Sequence, residues 1–302
     1  MANSNGWGDG SANNAIGWGQ GANNAIGWGD IHADSWAGLT DIVGITTPPF
    51  TFLLDDYSGA TVGYSLRKLR SAYSGNCIRV RRSSDNTEQN IGFVNNILDT
   101  ASLLTFVGAG NGFVTTWYDQ SGNGNNAIQT TAGSQPQIVS SGNLVKTSGN
   151  ITAIDCNNKQ MSNAQINTAT QAFFLGHEVS TTGHNSSFTL AFTVIATDKF
   201  SSVCENGSAS LPYNNFETPT YFLNNASITA TRNSLYDNNA TGNETLFNVI
   251  GGGYADTNRF LQYPTAGFNG NYKAFEVIIY NTDQSSNRTG INGNINTYYS
   301  IY

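Results

Sequence analysis

Apolar and polar residues alternate strictly in two early segments, Thr61-Val-Gly-Tyr-Ser-Leu66 and Cys77-Ile-Arg-Val-Arg81. A period of two is the pattern of a strand with one buried face. Three further runs are dense in β-branched and aromatic residues: Gly112 to Tyr118, Phe188 to Ile195 and Tyr272 to Tyr280. Such side chains fit a pleated, half-buried surface, so these also read as strands. Gly-, Asn- and Ser-rich turns separate them, as in an all-β domain of many short strands. Two segments break the pattern. Asp99 to Val107 predicts a short helix capped by Asp99 or Thr100, with Ala101, Leu103, Leu104, Phe106 and Val107 turned inward. At the C-terminus Ile291, Ile295, Tyr298 and Tyr302 recur at helical spacing behind a cap at Thr282 or Asp283. The sum is an all-β, antiparallel β-sandwich with a short C-terminal helix.

The first 47 residues follow another rule. Asn5-Gly-Trp-Gly-Asp9, Ile16-Gly-Trp-Gly-Gln20 and Ile26-Gly-Trp-Gly-Asp30 are copies at a spacing of about ten residues. Each copy carries one Trp, with Asn-Asn pairs as turns between copies. Trp7, Trp18 and Trp28 therefore stand in a segment too poor in apolar side chains to bury a core of its own. Trp36 follows in a short apolar patch, and Pro48-Pro49 stiffens the chain after it. The expected division is an N-terminal repeat over 1–47, which anchors the protein to a partner through these four tryptophans, and a sandwich domain over 48–302.

Composition narrows the functional classes. The net charge is −7 and only 11% of residues are charged, while 40 are asparagine. A surface of neutral amides and hydroxyls does not form the broad basic face of a nucleic-acid binder, so that partner is excluded. The basic residues cluster between Arg67 and Arg82 and read as solvated or ion-paired strand positions. No apolar run approaches membrane-spanning length. Cys77, Cys156 and Cys204 have no metal-like spacing and are expected as buried thiols. Met1 to Gly10 has no export-signal pattern, which leads to the expectation of release from the cell by lysis.

Two segments resemble a known family. Tyr64-Ser-Leu-Arg-Lys-Leu-Arg-Ser-Ala-Tyr-Ser-Gly-Asn-Cys-Ile-Arg-Val-Arg-Arg-Ser-Ser-Asp85 and Thr116-Trp-Tyr-Asp-Gln-Ser-Gly-Asn-Gly-Asn-Asn126, followed by Gln135-Pro-Gln-Ile-Val139, are similar to the catalytic domain of arabinofuranosidase B-like proteins. The resemblance implies a concanavalin A/LamG-like jelly roll. Similar modules occur in structural proteins of tailed bacteriophages, whose N-termini the Gly-Trp-Gly-Gln-Gly-Ala-Asn-Asn repeat also resembles. It implies a virion protein, a head fibre, capsid decoration or tail-associated component, assembled in the host cytoplasm and displaying the sandwich outward. A trimer is expected, since multivalency strengthens weak surface binding.

Candidate chemistry follows from these two readings. A retaining glycosidase needs two carboxylates about 5–5.5 Å apart. Asp256, behind Gly251-Gly252-Gly253, and Glu205 are the candidates, but the match is imperfect because the acid is displaced from the glycines and the family's adjacent cysteine pair is missing. The expectation is therefore a binder and not an enzyme, with an arabinofuranosidase-type hydrolase and a non-binding capsid cement protein as alternatives. Host-surface glycan binding is placed on Tyr213, Phe216, Tyr221, Tyr236, Asn224 and Asn225, where aromatic faces and amides lie together. Asp119, Asn123 and Asn125 offer spaced oxygens and allow Ca2+ as an alternative to a tight structural turn. No other cofactor is expected.

Overall fold

A computed structural model describes residues 51–156, 159, 161, 171–178, 209, 220–229, 231, 233–234, 244–250 and 272–302. The repeat with Trp7, Trp18, Trp28 and Trp36, and the strand expected over Phe188–Ile195, lie outside the described residues. Thr51–Tyr302 forms one compact unit.

The chain enters through a single helical turn, α1 (Leu53–Asp56), and then builds strands in succession. These are β1 (Ala60–Ser65), β2 (Ile78–Arg82), β3 (Glu88–Ile91), β4 (Phe93–Val94) and β5 (Ile97–Leu98). After α2 (Thr100–Val107) come β6 (Gly112–Trp117), β7 (Ala127–Ile128), β8 (Gln137–Ser140), β9 (Asn143–Leu144) and β10 (Ile154–Asp155). The second half holds β11 (Gln171–Glu178), β12 (Thr220–Leu223), β13 (Ala226–Ile228), β14 (Glu244–Ile250), β15 (Tyr272–Tyr280) and α3 (Arg288–Tyr299). Among the described residues, thirteen strands join in one sheet with the main path β13-β12-β14-β11-β15-β10-β8-β6-β2-β3, and β4–β5 forms a separate hairpin. The recorded pairings are antiparallel. The protein is thus mostly β, with one large sheet, a small one and a short C-terminal helix.

β15 organises the sheet. One edge pairs with β11 along its full length; the other is shared by β10 at Lys273–Ala274 and β1 at Glu276–Tyr280. Its apolar residues Val277, Ile278 and Ile279 are wholly buried, and so are Val62 and Tyr64 of β1. The Tyr64 ring lies 5.7 Å from Trp117 of β6, linking the two sequence segments that carried the family resemblance.

Asparagine abundance has a direct structural counterpart. The β4–β5 turn places Asn95 and Asn96, and the β12–β13 turn Asn224 and Asn225, at positive φ. Two consecutive positive-φ residues suit the right-handed twist of a hairpin, and Asn adopts that region more readily than most side chains.

Both helices form, but Ala101 of α2, expected to turn inward, is exposed, and the cap of the C-terminal helix differs. Asp99 caps α2 by accepting from the Ser102 amide, as expected. The C-terminal helix does not start at Thr282 or Asp283. The Asp283 carboxylate instead accepts from the amide and hydroxyl of Ser285, closing a local turn, and α3 begins at Arg288. Ile291 and Ile295 are buried on its inner face. Tyr302 lies past the helix end and is 49% exposed, because Ser300 turns left-handed and the Asn296 side chain accepts from the last two amides.

Candidate functional site

The Asp119–Asn126 loop leaves β6 and folds back over the edge of β1 opposite β15. Each polar residue in it has a defined task. The Asp119 carboxylate is buried, with Oδ1 accepting from the amides of Gly63 (2.9 Å) and Ser121 (2.8 Å). Its Oδ2 accepts from the Ser121 hydroxyl (2.7 Å) and the Asn125 amide (3.0 Å). Gln120, fully buried, accepts from the Leu69 amide and donates through Nε2 to the carbonyls of Ser65 and Arg67. Its own amide donates to the Gly63 carbonyl. The loop thus supplies the hydrogen bonds that a neighbouring strand would give β1. Gly122 and Gly124, both at positive φ, let the backbone make these reversals.

β1 is bulged at Thr61, between Ala60 and Val62. A bulge leaves its residue outside the ladder. The Thr61 carbonyl is taken up by the loop, accepting from the Ser121 hydroxyl and from Nδ2 of Asn123 and Asn125. Asn123 Nδ2 donates also to the Ala60 carbonyl at 2.9 Å. Beside the bulge lies a cavity of about 500 Å³ whose lining includes Ala60, Thr61, Ser121, Asn123, Asn125 and Asn281. The Thr61 hydroxyl is buried without a hydrogen-bond partner.

This geometry bears on the three oxygen residues considered for calcium. Asp119 meets N–H and O–H donors at both oxygens, and Asn123 and Asn125 turn their amide nitrogens, not their oxygens, to the β1 backbone. The arrangement is that of a cross-braced turn.

The glycan candidates that are described sit at the β12–β13 hairpin. Tyr221 is a correction: it is 2% exposed and packs on Phe247 at 5.6 Å, leaving no ring face for a sugar. The alternation within β12 turns it into the core. Asn224 exchanges hydrogen bonds with the Leu246 backbone of β14, its side chain accepting from that amide. Asn225 Oδ1 accepts from Arg288 and Asn292 of α3, and the Arg288 guanidinium lies 3.9 Å from the Phe222 ring. These amides fasten α3 to the hairpin. Tyr213, Phe216, Tyr236, Glu205 and Asp256 lie outside the described residues.

Among the described carboxylates, most hold structure. Asp85 pairs with Arg82, whose guanidinium keeps it well below the usual carboxylate range, and Glu88 pairs with Arg79. Glu244 accepts from the Gly149 amide. Glu276 is fully buried against Arg67, itself 1% exposed, with Nε and Nη2 donating at 2.8 and 2.9 Å. The Ser65 and Tyr299 hydroxyls donate to the same carboxylate, and the guanidinium lies over the Tyr298 ring at 4.6 Å. Of the two alternatives read from the sequence for Arg67, solvated or ion-paired, the ion pair is the one found, and it is sealed in the interior rather than set on a strand face. Burial works against the charge of Arg67, but Glu276 outweighs this and raises its pKa above the ordinary arginine value. The sequence signal was Glu276 itself, an acid set between the apolar pairs Ala274-Phe275 and Val277-Ile278.

Fold and loop together define a mostly-β domain whose Asp119–Asn126 loop braces β1. The model of the family described as alpha-L-arabinofuranosidase B, catalytic, matches residues 60–232, more than half of the chain, and the chain belongs to that family. Two solved structures are similar over 80% of this chain. An arabinofuranosidase complexed with arabinofuranosyl-alpha-1,2-xylobiose is 16% identical with a TM-score of 0.45. A GH54 α-L-arabinofuranosidase soaked with 4-nitrophenyl α-L-arabinofuranoside is 15% identical with a TM-score of 0.47. The chain spans 64% of the length of each. No curated protein matches it.

Proposed function

We propose that the unit from Thr51 to Tyr302 is a carbohydrate-directed domain of arabinofuranosidase B type, with two packed sheets, acting on glycans that bear α-L-arabinofuranose. The observation that carries this reading is the family match over residues 60–232. It is supported by the Tyr118–Asn126 segment, whose side chains brace β1 and so tie the motif to the fold. Hydrolysis would require a pair of carboxylates. Since Glu276, Asp119, Asp85 and Glu88 are engaged in structure, the pair would come from acids such as Glu205 and Asp256. Release of 4-nitrophenol from 4-nitrophenyl α-L-arabinofuranoside tests this. Turnover above buffer, lowered about 100-fold or more by Asp256→Asn or Glu205→Gln, is the expected outcome. Absence of turnover by the intact chain removes the hydrolytic reading. Binding to arabinan in calorimetry would then leave a lectin-like domain, and absence of both removes the carbohydrate reading.

A second reading concerns where the domain works, and the spacing of Trp7, Trp18 and Trp28 favours it. A repeat too poor in apolar side chains to bury a core of its own would gain order against a partner, so residues 1–47 would hold a trimer of the protein on a virion. Deleting residues 1–47 should leave a folded domain that no longer co-sediments with particles. Retained co-sedimentation defeats the anchor.

A further inference from the structure

We infer that Asn123 is a site of spontaneous covalent modification, at which the Asn123-Gly124 peptide cyclises, the side-chain amide is lost as ammonia and the loop loosens from β1. The Gly124 backbone nitrogen attacks Cγ of Asn123, forming an N–Cγ bond. The Cγ–Nδ2 bond breaks, and Nδ2 leaves as ammonia with the proton given up by the backbone nitrogen. Water then opens the cyclic imide at either carbonyl, giving aspartate or its β-linked isomer. The net change is a water consumed and an ammonia released, with no oxidation or reduction.

The fold selects this position. Asn-Gly occurs three times among the described residues, at 111–112, 123–124 and 292–293. Glycine, without a Cβ, crowds ring closure least. Asn111 Oδ1 accepts from the Ser141 amide and Gln137 Nε2, and Gly112 is buried in β6, where a Cβ would come within 2.9 Å of Val107. Asn292 is fully buried in α3, with its amide donating to Asn225. Both pairs must open locally before a ring can close, and the scarcity of that open state slows them. Asn123 and Gly124 are both exposed in the loop between β6 and β7. Apart from chain neighbours, no atom lies within 4 Å of the place a Gly124 Cβ would take, and among the described residues the Gly124 amide has no acceptor.

The modification acts on the brace itself. Asn123 Nδ2 donates to the Ala60 and Thr61 carbonyls, and the product carboxylate has no N–H to replace it. An anionic oxygen then faces two carbonyl oxygens and repels them. Ser121 and Asn125 still serve the Thr61 carbonyl, so the loop loosens at the Ala60 end of β1 and does not detach.

The test incubates the full chain in mildly alkaline buffer and follows the amide-to-acid mass change by peptide mapping with fragmentation. In the folded protein Asn123 should convert about tenfold faster or more than Asn111 and Asn292, which react only through local opening. In denaturant the three rates should converge, since glycine follows each. Equal rates in the folded protein overturn the proposal, and so does a difference that persists in denaturant, because the fold would then not be its cause. Asn123→Asp carries the product carboxylate and should lower the melting temperature by about 2–4 °C, the shift that losing one or two hydrogen bonds gives in a domain of this size. An unchanged melting temperature overturns the loosening of the loop. Neither measurement involves a sugar, so the outcome is separate from the function proposed above.

Discussion

Asp119 and Glu276 are both buried acids beside β1, and they are satisfied in opposite ways. Asp119 receives four neutral donors, three of them from its own loop within six residues. Glu276 is matched by a guanidinium 209 positions away, with hydroxyls from Ser65 and Tyr299 filling its remaining capacity. The first is a local motif that folds one turn and then presents it to a strand. The second joins β1, β15 and α3 and exists only when all three are in place. A neutral-donor cage loses single hydrogen bonds when trimmed, whereas half of an ion pair left in the interior remains as an uncompensated charge.

The largest expected effect comes from breaking the second arrangement. Arg67→Met strands the Glu276 carboxylate and should cost about 3–5 kcal/mol in chemical denaturation. The double variant Arg67→Met with Glu276→Met should recover much of that loss, because apolar replacement of a whole buried pair is often neutral. A double variant as unstable as the single one would show that the guanidinium packing on Tyr298 and Tyr299, not the charge, holds the cluster.

Alkali should expose the same contrast. Burial, and next the neighbouring Glu276 charge, raise the Tyr299 and Tyr280 hydroxyls above the ordinary tyrosine value of 10.0. Burial raises the Cys77 and Cys156 thiols above 9.0. Each group is held protonated by folding, while the unfolded chain ionises at the ordinary values. The contribution is therefore fully present below the unfolded pKa and is lost as pH rises toward the folded one. Unfolding free energy should be level near neutrality and fall from about pH 9 upward. Constant stability to pH 11 would contradict this.

Asp119→Ala removes the shared acceptor of the loop and should cost about 1.5–3 kcal/mol, less than Arg67→Met. Added Ca2+ should leave the melting temperature of the intact protein unchanged, because donors already occupy both carboxylate oxygens. A calcium-dependent rise would reverse the structural reading of that turn. The smallest effect belongs to Arg79 and Glu88, which pair on the surface at 44% and 33% side-chain exposure. Arg79→Ala should change stability by about 0–1 kcal/mol and respond to salt.

Much of the local structure is legible in the chain. The alternation of Ile78, Arg79, Val80 and Arg81 yields a strand with its apolar side buried, and Asp99 caps a helix where its position said it would. Both signals act between near neighbours. Arg67 and Arg79 look alike in sequence, but one is sealed in the interior and the other is solvated. Tyr221 beside Asn224 and Asn225 reads as an exposed sugar platform, yet strand register turns the ring inward and α3 claims Asn225. Asp283 has the right type for a helix cap but finds Ser285 first.

The sequence by itself determined the β-rich character, the turn positions, the short α2 helix and the family signature around Asp119. These depend on backbone preference and on partners a few residues apart. Only the tertiary structure decided that Glu276 would meet Arg67, that the loop would cover β1, and that a bulge at Thr61 would open a neutral cavity beside it. Those outcomes require segments separated by about 60 to 200 residues to reach a common register, and neither composition nor periodicity encodes which distant donor a buried acceptor will find.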